Sequence, residues 1–169
     1  MKGFPEHAVA SRRMETPIGG LVLLASAKGL AGLFFAHRVE RDRLPADDPS
    51  NEFLNAAERQ LGEYFAGSRK VFEVALDSRG TEFQRSVWRE LSRIPFGVTR
   101  SYAEIAERIG KPKSVRAVGA ANGSNPISVI VPCHRVIGAN GSLTGFGGGL
   151  DLKRSLLEFE GVLLAVADG

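Results

Sequence analysis

Two apolar stretches, Leu21 to Ala25 and Leu30 to Ala36, flank the turn-forming run Ser26-Ala27-Lys28-Gly29, a pattern that predicts a β-hairpin. The pattern breaks from Arg38 to Ser50, where charged residues, Asp47, Asp48 and Pro49 read as an exposed loop. A helix over about 52–65 should come next. Phe72, Val74 and Leu76 then alternate with less apolar neighbours, which predicts another half-buried strand before Asp77-Ser78-Arg79-Gly80 interrupts it. That interruption is the expected boundary between a first domain over 1–80 and a second over 81–169.

Beyond it the spacing becomes helical. Thr81 and Gln84 form a capping box, Phe83, Val87, Trp88 and Leu91 share one face, and Pro95 stops the run. Ser101 and Glu104 form a second capping box ahead of a short helix with Ile105 and Ile109, and Gly110 stands at its C-cap. Lys111 precedes a proline and is pushed out of helical geometry, whereas Pro112 suits the first turn of a third helix running to about Asn122. Helix, tight glycine turn, helix is the helix-turn-helix plan. Its second helix is smooth: Arg116 is followed only by small side chains and two glycines, each costing about 1 kcal/mol of helix stability. Such a face fits either a nucleic-acid groove, with Arg116 projecting into the duplex, or tight packing against protein.

Asn125-Pro126 ends that helix, and Ile127 to Val131 is apolar and β-branched, as a buried strand would be, until Pro132. Asn140-Gly141 marks a turn, Gly145-Phe146-Gly147-Gly148-Gly149 a loop around one aromatic ring, and 150–160 a last helix with Leu152, Leu156 and Leu157 inward, stopped by Gly161. The expected class is α/β (α+β): a small sheet-plus-helix domain, then a mainly helical, winged-helix-like domain.

Composition narrows the function. A single cysteine excludes an internal disulfide and any metal site needing two thiols, so no metal is expected, and a free thiol fits a cytoplasmic protein. The start MKGFPEH lacks a signal core and no apolar run approaches about 20 residues, so no membrane association is expected. Residues 1–80 carry 11 basic and 11 acidic side chains, while 81–169 carry 11 and 8. Between Arg100 and Arg135 there are six basic residues (Arg100, Arg108, Lys111, Lys113, Arg116, Arg135) against Glu104 and Glu107, a patch that would attract phosphates or simply be a solvated face.

The lone thiol, Cys133, sits in VPCHRV just past the expected strand end. A lone cysteine is usually a small core residue. Here the polar pair His134-Arg135 comes directly after it, and nearby positive charge lowers a thiol's pKa and supplies the attacking thiolate. In a continuing strand residues 133 and 134 would face opposite ways, so the chain must turn there for His134 to take the thiol proton, directly or through water, with an acidic residue orienting the imidazole. His7 and His37 have no reactive neighbour and read as surface histidines.

The segments FQRSVW, IPFGVTRSYAEIA, VRAVGAANGSNP, IVPCHRVIG and GFGGGLDLKRSLLEFEG, in this order from about Thr81 to Gly161, resemble the O6-alkylguanine-DNA alkyltransferases, with TPIGGLVL a weaker likeness before Gly80. The resemblance implies a ribonuclease-H-like first domain and single-turnover transfer of an alkyl group from guanine, or thymine, in double-stranded DNA to Cys133. It makes His134 the base through a bridging water, Glu160 the carboxylate that orients it, and Asn125 a brace of the active-site turn. Tyr102 would contact the phosphate backbone and protonate the departing guanine. Arg116 would replace the flipped base, with Ala117, Ala120, Ala121, Asn122 and Gly123 in the minor groove. Val136 and Ser142 to Gly147, including Phe146, would shape the base pocket; Phe146 and Gly147 replace the tyrosine and serine of some members. No cofactor is implied, and the expected form is a monomer able to cluster on DNA. A damage-marking module without chemistry and a cysteine hydrolase acting independently of DNA are the competing readings.

Overall fold

In the first unit, β1 (Ala10–Thr16), β2 (Gly19–Ala25) and β3 (Leu30–Phe35) form an antiparallel sheet in the order β1-β2-β3, with β2 central because both its neighbours pair with it. The coordinates are a computed structural model that describes residues 4–162 and residue 164. Two compact units emerge: Met1–Arg79 with Pro126–Ser128, and Gly80–Asn125 with Val129–Gly169. Leu21 to Ala25 are buried without alternation, as befits a central strand covered on both faces. Strand β1 has no hydrophobic signal, because its Arg12 is drawn inward: the side chain is only 10% exposed and its guanidinium meets Asp47 at 3.1 Å and Glu58 at 3.5 Å. Helix α1 (Glu52–Phe65) is capped by Asn51, whose side chain accepts from the Leu54 amide, and buries Leu54, Ala57, Leu61 and Tyr64.

Three expectations for these elements need correction. The run containing Phe72, Val74 and Leu76 is extended but is no strand; Leu76 makes one isolated bridge with Leu30. The Gln60 side chain takes the place of a neighbouring strand, accepting from the Glu73 amide at 2.7 Å and donating to the Glu73 carbonyl at 3.1 Å. The 38–50 segment is exposed but folds into 3-10 turns at Ala36–Arg38 and Arg41–Arg43. His7 is not a surface histidine: its side chain is 13% exposed and its Nε2 lies 2.9 Å from the Asp77 carbonyl. His37 is exposed.

The second unit holds α2 (Glu82–Leu91), α3 (Tyr102–Arg108), α4 (Val115–Gly123) and α5 (Leu150–Phe159), with two-residue strands β4 (Arg100–Ser101) and β5 (Val136–Ile137) paired in parallel. Both capping boxes form, and Gly110 takes φ 76° after α3. Helix α4 starts later than Pro112, because Pro112 occupies the second position of a turn closed by the Ser114 amide on the Lys111 carbonyl at 2.9 Å. The indole of Trp88, 5% exposed on α2, donates to the Ala121 carbonyl of α4 at 2.8 Å.

The expected strand 127–131 does not form. Ile127 bridges Leu33, and the Leu33 amide and carbonyl bond to Pro126 and Ser128, all within the first unit. Val129 then turns the chain at φ 69°, a left-handed conformation that costs a β-branched residue on the order of 1–3 kcal/mol. Among the described residues no helix is long and apolar enough to cross a membrane.

Replacing Trp88 with Phe keeps most of the apolar surface but leaves the Ala121 carbonyl without its indole donor. Chemical denaturation should show a loss of about 1–3 kcal/mol.

Candidate active site

The chain does turn after Pro132. Residues Cys133–Arg135 form a 3-10 turn, so Cys133 and His134 are not held on opposite faces of a strand. Two amides brace this turn from α4 and its end: Asn125 donates to the Val131 carbonyl at 2.8 Å, and Asn122 to the Cys133 carbonyl at 3.4 Å. The Cys133 amide itself donates to the Val131 carbonyl at 2.8 Å. Cys133 is buried, 5% exposed.

One carboxylate organises the two residues after the thiol. Glu160, at the C-terminus of α5, lies 2.9 Å from Nε2 of His134 and accepts two bonds from Arg135, Nε to Oε1 at 2.8 Å and Nη2 to Oε2 at 2.9 Å. The remaining Arg135 bond goes to the Ile94 carbonyl at 2.7 Å. All three side chains are buried. Burial pushes the Glu160 carboxyl upward, but the hydrogen bonds and charges of His134 and Arg135 outweigh it and hold the group at about 2. Burial drives the His134 pKa below its ordinary value, against the opposing hydrogen bond and charge of Glu160. The imidazole is therefore neutral at pH 7, and with Nε2 committed to the carboxylate, its Nδ1 is buried without a hydrogen-bond partner.

In the same unit, Tyr102, Val115, Gly119, Gly123 and the loop Thr144 to Gly147 line an open cavity of about 500 Å³. Tyr102 opens α3, and its hydroxyl lies 2.9 Å from Oγ1 of Thr144. Phe146 and Gly147 are among its lining residues, and Val136 and Ser142 are not. Val136 is fully buried in β5, and the Ser142 hydroxyl turns to Asn140 at 2.7 Å. Cys133 is not part of the lining either.

The smooth helix divides by face. Arg116, Ala117, Ala120 and Gly123 are exposed, but Ala121 and Asn122 are each 3% exposed and point inward, so they leave the expected groove-facing set. The basic patch also shrinks. Arg135 is buried on Glu160, Arg100 pairs with Glu104 at 3.9 Å, and Arg108 reaches Glu90 at 3.7 Å. Lys111, Lys113 and Arg116, around the turn into α4, are the exposed members that form no ion pair among the described residues. Sequence reasoning misses two buried cations of this unit: Arg135 reads as surface charge, and Lys153, fully buried on α5, looks like an ordinary solvated lysine in LDLKRS. Position 153 lies four residues before the buried Leu157 and three before Leu156, and this spacing is the one signal that it faces inward.

Fold and site together define a class: an α+β protein whose helix-turn-helix unit carries a thiol backed by a histidine, a carboxylate and an arginine. The family described as 6-O-methylguanine DNA methyltransferase, DNA binding domain, matches residues 82–162, and its ribonuclease-like domain matches residues 10–78. A methylated-DNA–protein-cysteine methyltransferase of Methanosarcina acetivorans is 53% identical over 148 residues, 87% of this chain and 95% of that protein. One from Mycolicibacterium paratuberculosis is 53% identical over 150 residues, 88% of this chain and 90% of that protein. The crystal structure of Mycobacterium tuberculosis OGT in complex with DNA superposes with a TM-score of 0.83 at 51% identity, covering 90% of this chain and 92% of that one. The chain belongs to the 6-O-methylguanine DNA methyltransferase family.

Because the Glu160 carboxyl is depressed from 4.5 to about 2, its contribution to stability is complete above about pH 4.5 and is lost as pH falls through about 2. Glu160→Gln should flatten the stability profile across that window. At pH 7 it should cost about 3–5 kcal/mol, since Arg135 is left buried without its anion. Denaturation midpoints recorded against pH check both outcomes.

Proposed function

We propose that this protein repairs alkylated DNA by direct reversal, moving the alkyl group of an O6-alkylguanine onto Cys133 in a single turnover. The observation that supports the proposal is the buried pairing of His134 with Glu160 in the residue directly after the chain's one thiol, within a 3-10 turn, which leaves the imidazole Nδ1 buried without a hydrogen-bond partner. That nitrogen is the acceptor a water-relayed thiol proton requires.

In this step, the thiol proton passes through water to His134 and the sulfur attacks the alkyl carbon. The new S–C bond forms as the C–O6 bond breaks, and its electron pair leaves with the guanine, which takes a proton from the Tyr102 hydroxyl. The products are an unmodified guanine and an S-alkyl cysteine. Because a thioether has no easy hydrolytic exit, each chain acts once.

The helix-turn-helix supplies access. The exposed Ala117, Ala120 and Gly123 allow α4 to approach the minor groove closely, and Arg116 projects from its first turn to fill the space of the extruded nucleotide. Lys111 and Lys113 are suited to phosphate contacts, which carry no sequence information and serve a protein that meets lesions anywhere. Extrusion costs a few kcal/mol, less for a base that already mispairs, so the lesion contributes to its own selection. The base enters by the Thr144–Gly147 side, where Tyr102 borders the cavity and positive φ at Gly145 and Gly149 gives the loop a course that L side chains rarely adopt. Replacement of a tyrosine by Phe146 removes a hydroxyl from this wall, which favours alkyl groups over polar adducts. The protein then works inside the cell on chromosomal DNA, as a monomer able to cluster along the duplex, since each chain carries one acceptor.

Incubation with an oligonucleotide containing O6-methylguanine should add one methyl group to the peptide bearing Cys133 and then stop. Cys133→Ala should take up none, and continuous turnover on an ester without DNA would overturn the proposal. Arg116→Ala should slow single-turnover transfer from duplex DNA by about tenfold, equivalent to 1.4 kcal/mol of lost support for extrusion. The same variant should react with iodoacetamide at the unaltered rate.

A further inference from the structure

Lys111 differs from its basic neighbours in what holds it. Arg100 pairs with Glu104 and Arg108 with Glu90, whereas Lys111 forms no ion pair among the described residues. Its ammonium lies instead over the ring of Phe83, 5.3 Å from the centroid. Phe83 stands in the first turn of α2, at the start of the inward face that Val87, Trp88 and Leu91 continue. Those three are buried, but Phe83 is only half-buried, so its ring reaches the surface where the lysine covers it.

The backbone of Lys111 is fixed as well. Its amide donates to the Ala106 carbonyl at 2.9 Å, and its carbonyl accepts from the Ser114 amide at 2.9 Å. Gly110 at φ 76° before it and Pro112 after it set the course of the turn. Helix α2, which carries the ring, is in turn tied to α4: the Gln84 amide donates to the Ser124 hydroxyl at 3.2 Å, and the Trp88 indole to the Ala121 carbonyl at 2.8 Å. Phe83 and Lys111 therefore keep a set relation to the exposed Arg116, Ala117 and Ala120 of α4.

A free lysine side chain gives up rotamer freedom when a phosphate fixes it, and that loss is subtracted from affinity. A carboxylate partner would order the side chain beforehand, but it would cancel the charge and have to be displaced by the phosphate. An aromatic ring orders the ammonium through its quadrupole and leaves the charge intact, with N–H donors still directed to solvent. We propose that Phe83 is a positioning residue for DNA binding, its ring holding the charged Lys111 ammonium ready for a backbone phosphate beside the groove that α4 enters. The inference rests on the reading of α4 as the groove-facing helix and adds to it a residue of α2 that touches no DNA itself.

The test is the Kd of the full chain for a fluorescent duplex of unmodified DNA, measured over a series of salt concentrations. Lys111→Met should weaken binding and lower the slope of log affinity against log salt by about 0.9, the share of one phosphate. Phe83→Leu keeps the apolar bulk and the lysine's charge, so the slope should stay while binding weakens about threefold, as the loss of one exposed cation–π contact predicts. Phe83→Tyr, which keeps the ring face, should bind like the unaltered protein. In the Lys111→Met background Phe83→Leu should weaken binding no further, which a merely structural role of the ring would not produce. Pentafluorophenylalanine at position 83 has nearly the same shape but a reversed quadrupole and should reproduce the threefold loss, so the test holds even if Phe83→Leu does not fold. Unchanged affinity with either replacement, the original slope in Lys111→Met, or an equal loss in both backgrounds overturns the proposal. If the coupling appears but Cys133 takes no methyl group from the O6-methylguanine oligonucleotide, the repair reading falls and the role of Phe83 stands; a protein that binds no duplex overturns both.

Discussion

The second unit depends on one buried carboxylate. Glu160 closes α5, and its two oxygens fix both side chains next to the cysteine in the chain: Oε2 holds His134 and Arg135, and Oε1 holds Arg135 alone. Removing three polar side chains from water would be prohibitive for any of them singly. It is tolerable because the guanidinium satisfies the carboxylate in bidentate fashion and directs a further donor to the Ile94 carbonyl just after α2. The network thus fastens the cysteine turn to α5 at one end and to the α2 exit at the other. It also fixes the tautomer: a neutral imidazole bonded through Nε2 to a carboxylate carries its proton there, which leaves Nδ1 as an acceptor.

The backbone before the cysteine is the other half of this constraint. A strand continuing through Val131 would have set Cys133 and His134 on opposite faces and made their cooperation impossible. Instead Val129 adopts a left-handed conformation, Asn125 captures the Val131 carbonyl, and the chain tightens into a 3-10 turn. A β-branched residue holds such a conformation only when its surroundings determine it. Within the second unit, the asparagine amide fixes Val131 two residues beyond Val129 and so holds the chain on its way into the turn.

Much of this is legible in the chain. The caps at Thr81 and Ser101, the glycine after α3 and the span 52–65 arise from local chemistry that tertiary contacts do not override. The elements that escape a sequence reading are those in which a side chain replaces a backbone partner or a polar residue turns inward. Gln60 satisfies Glu73 where a strand is expected, Arg12 hides β1 by burying a guanidinium, and Arg135 leaves the surface patch for Glu160. The site divides in the same way. Cys133 and His134 stand out together after Pro132, but the stretch that leads to them from Asn125 reads as a strand, and only the resemblance to a known family supplies roles for Asn125 and Glu160. Lys153 is invisible, because a lysine flanked by Asp151 and Arg154 carries no mark of burial and its partner is a carbonyl nine residues away.

Burial of the nucleophile and its reactivity make opposing demands. A thiol 5% exposed is shielded from small electrophiles, which matters for a group that can be used only once, but burial alone raises a thiol's pKa and would leave it inert. Surface charge cannot resolve this, since water screens it before it reaches the interior. An acceptor placed inside can: in the proposed reaction the thiol proton goes to Nδ1 of His134, which is buried with no other hydrogen-bond partner, while Glu160 holds the ring from its other nitrogen and Arg135 holds Glu160 in turn.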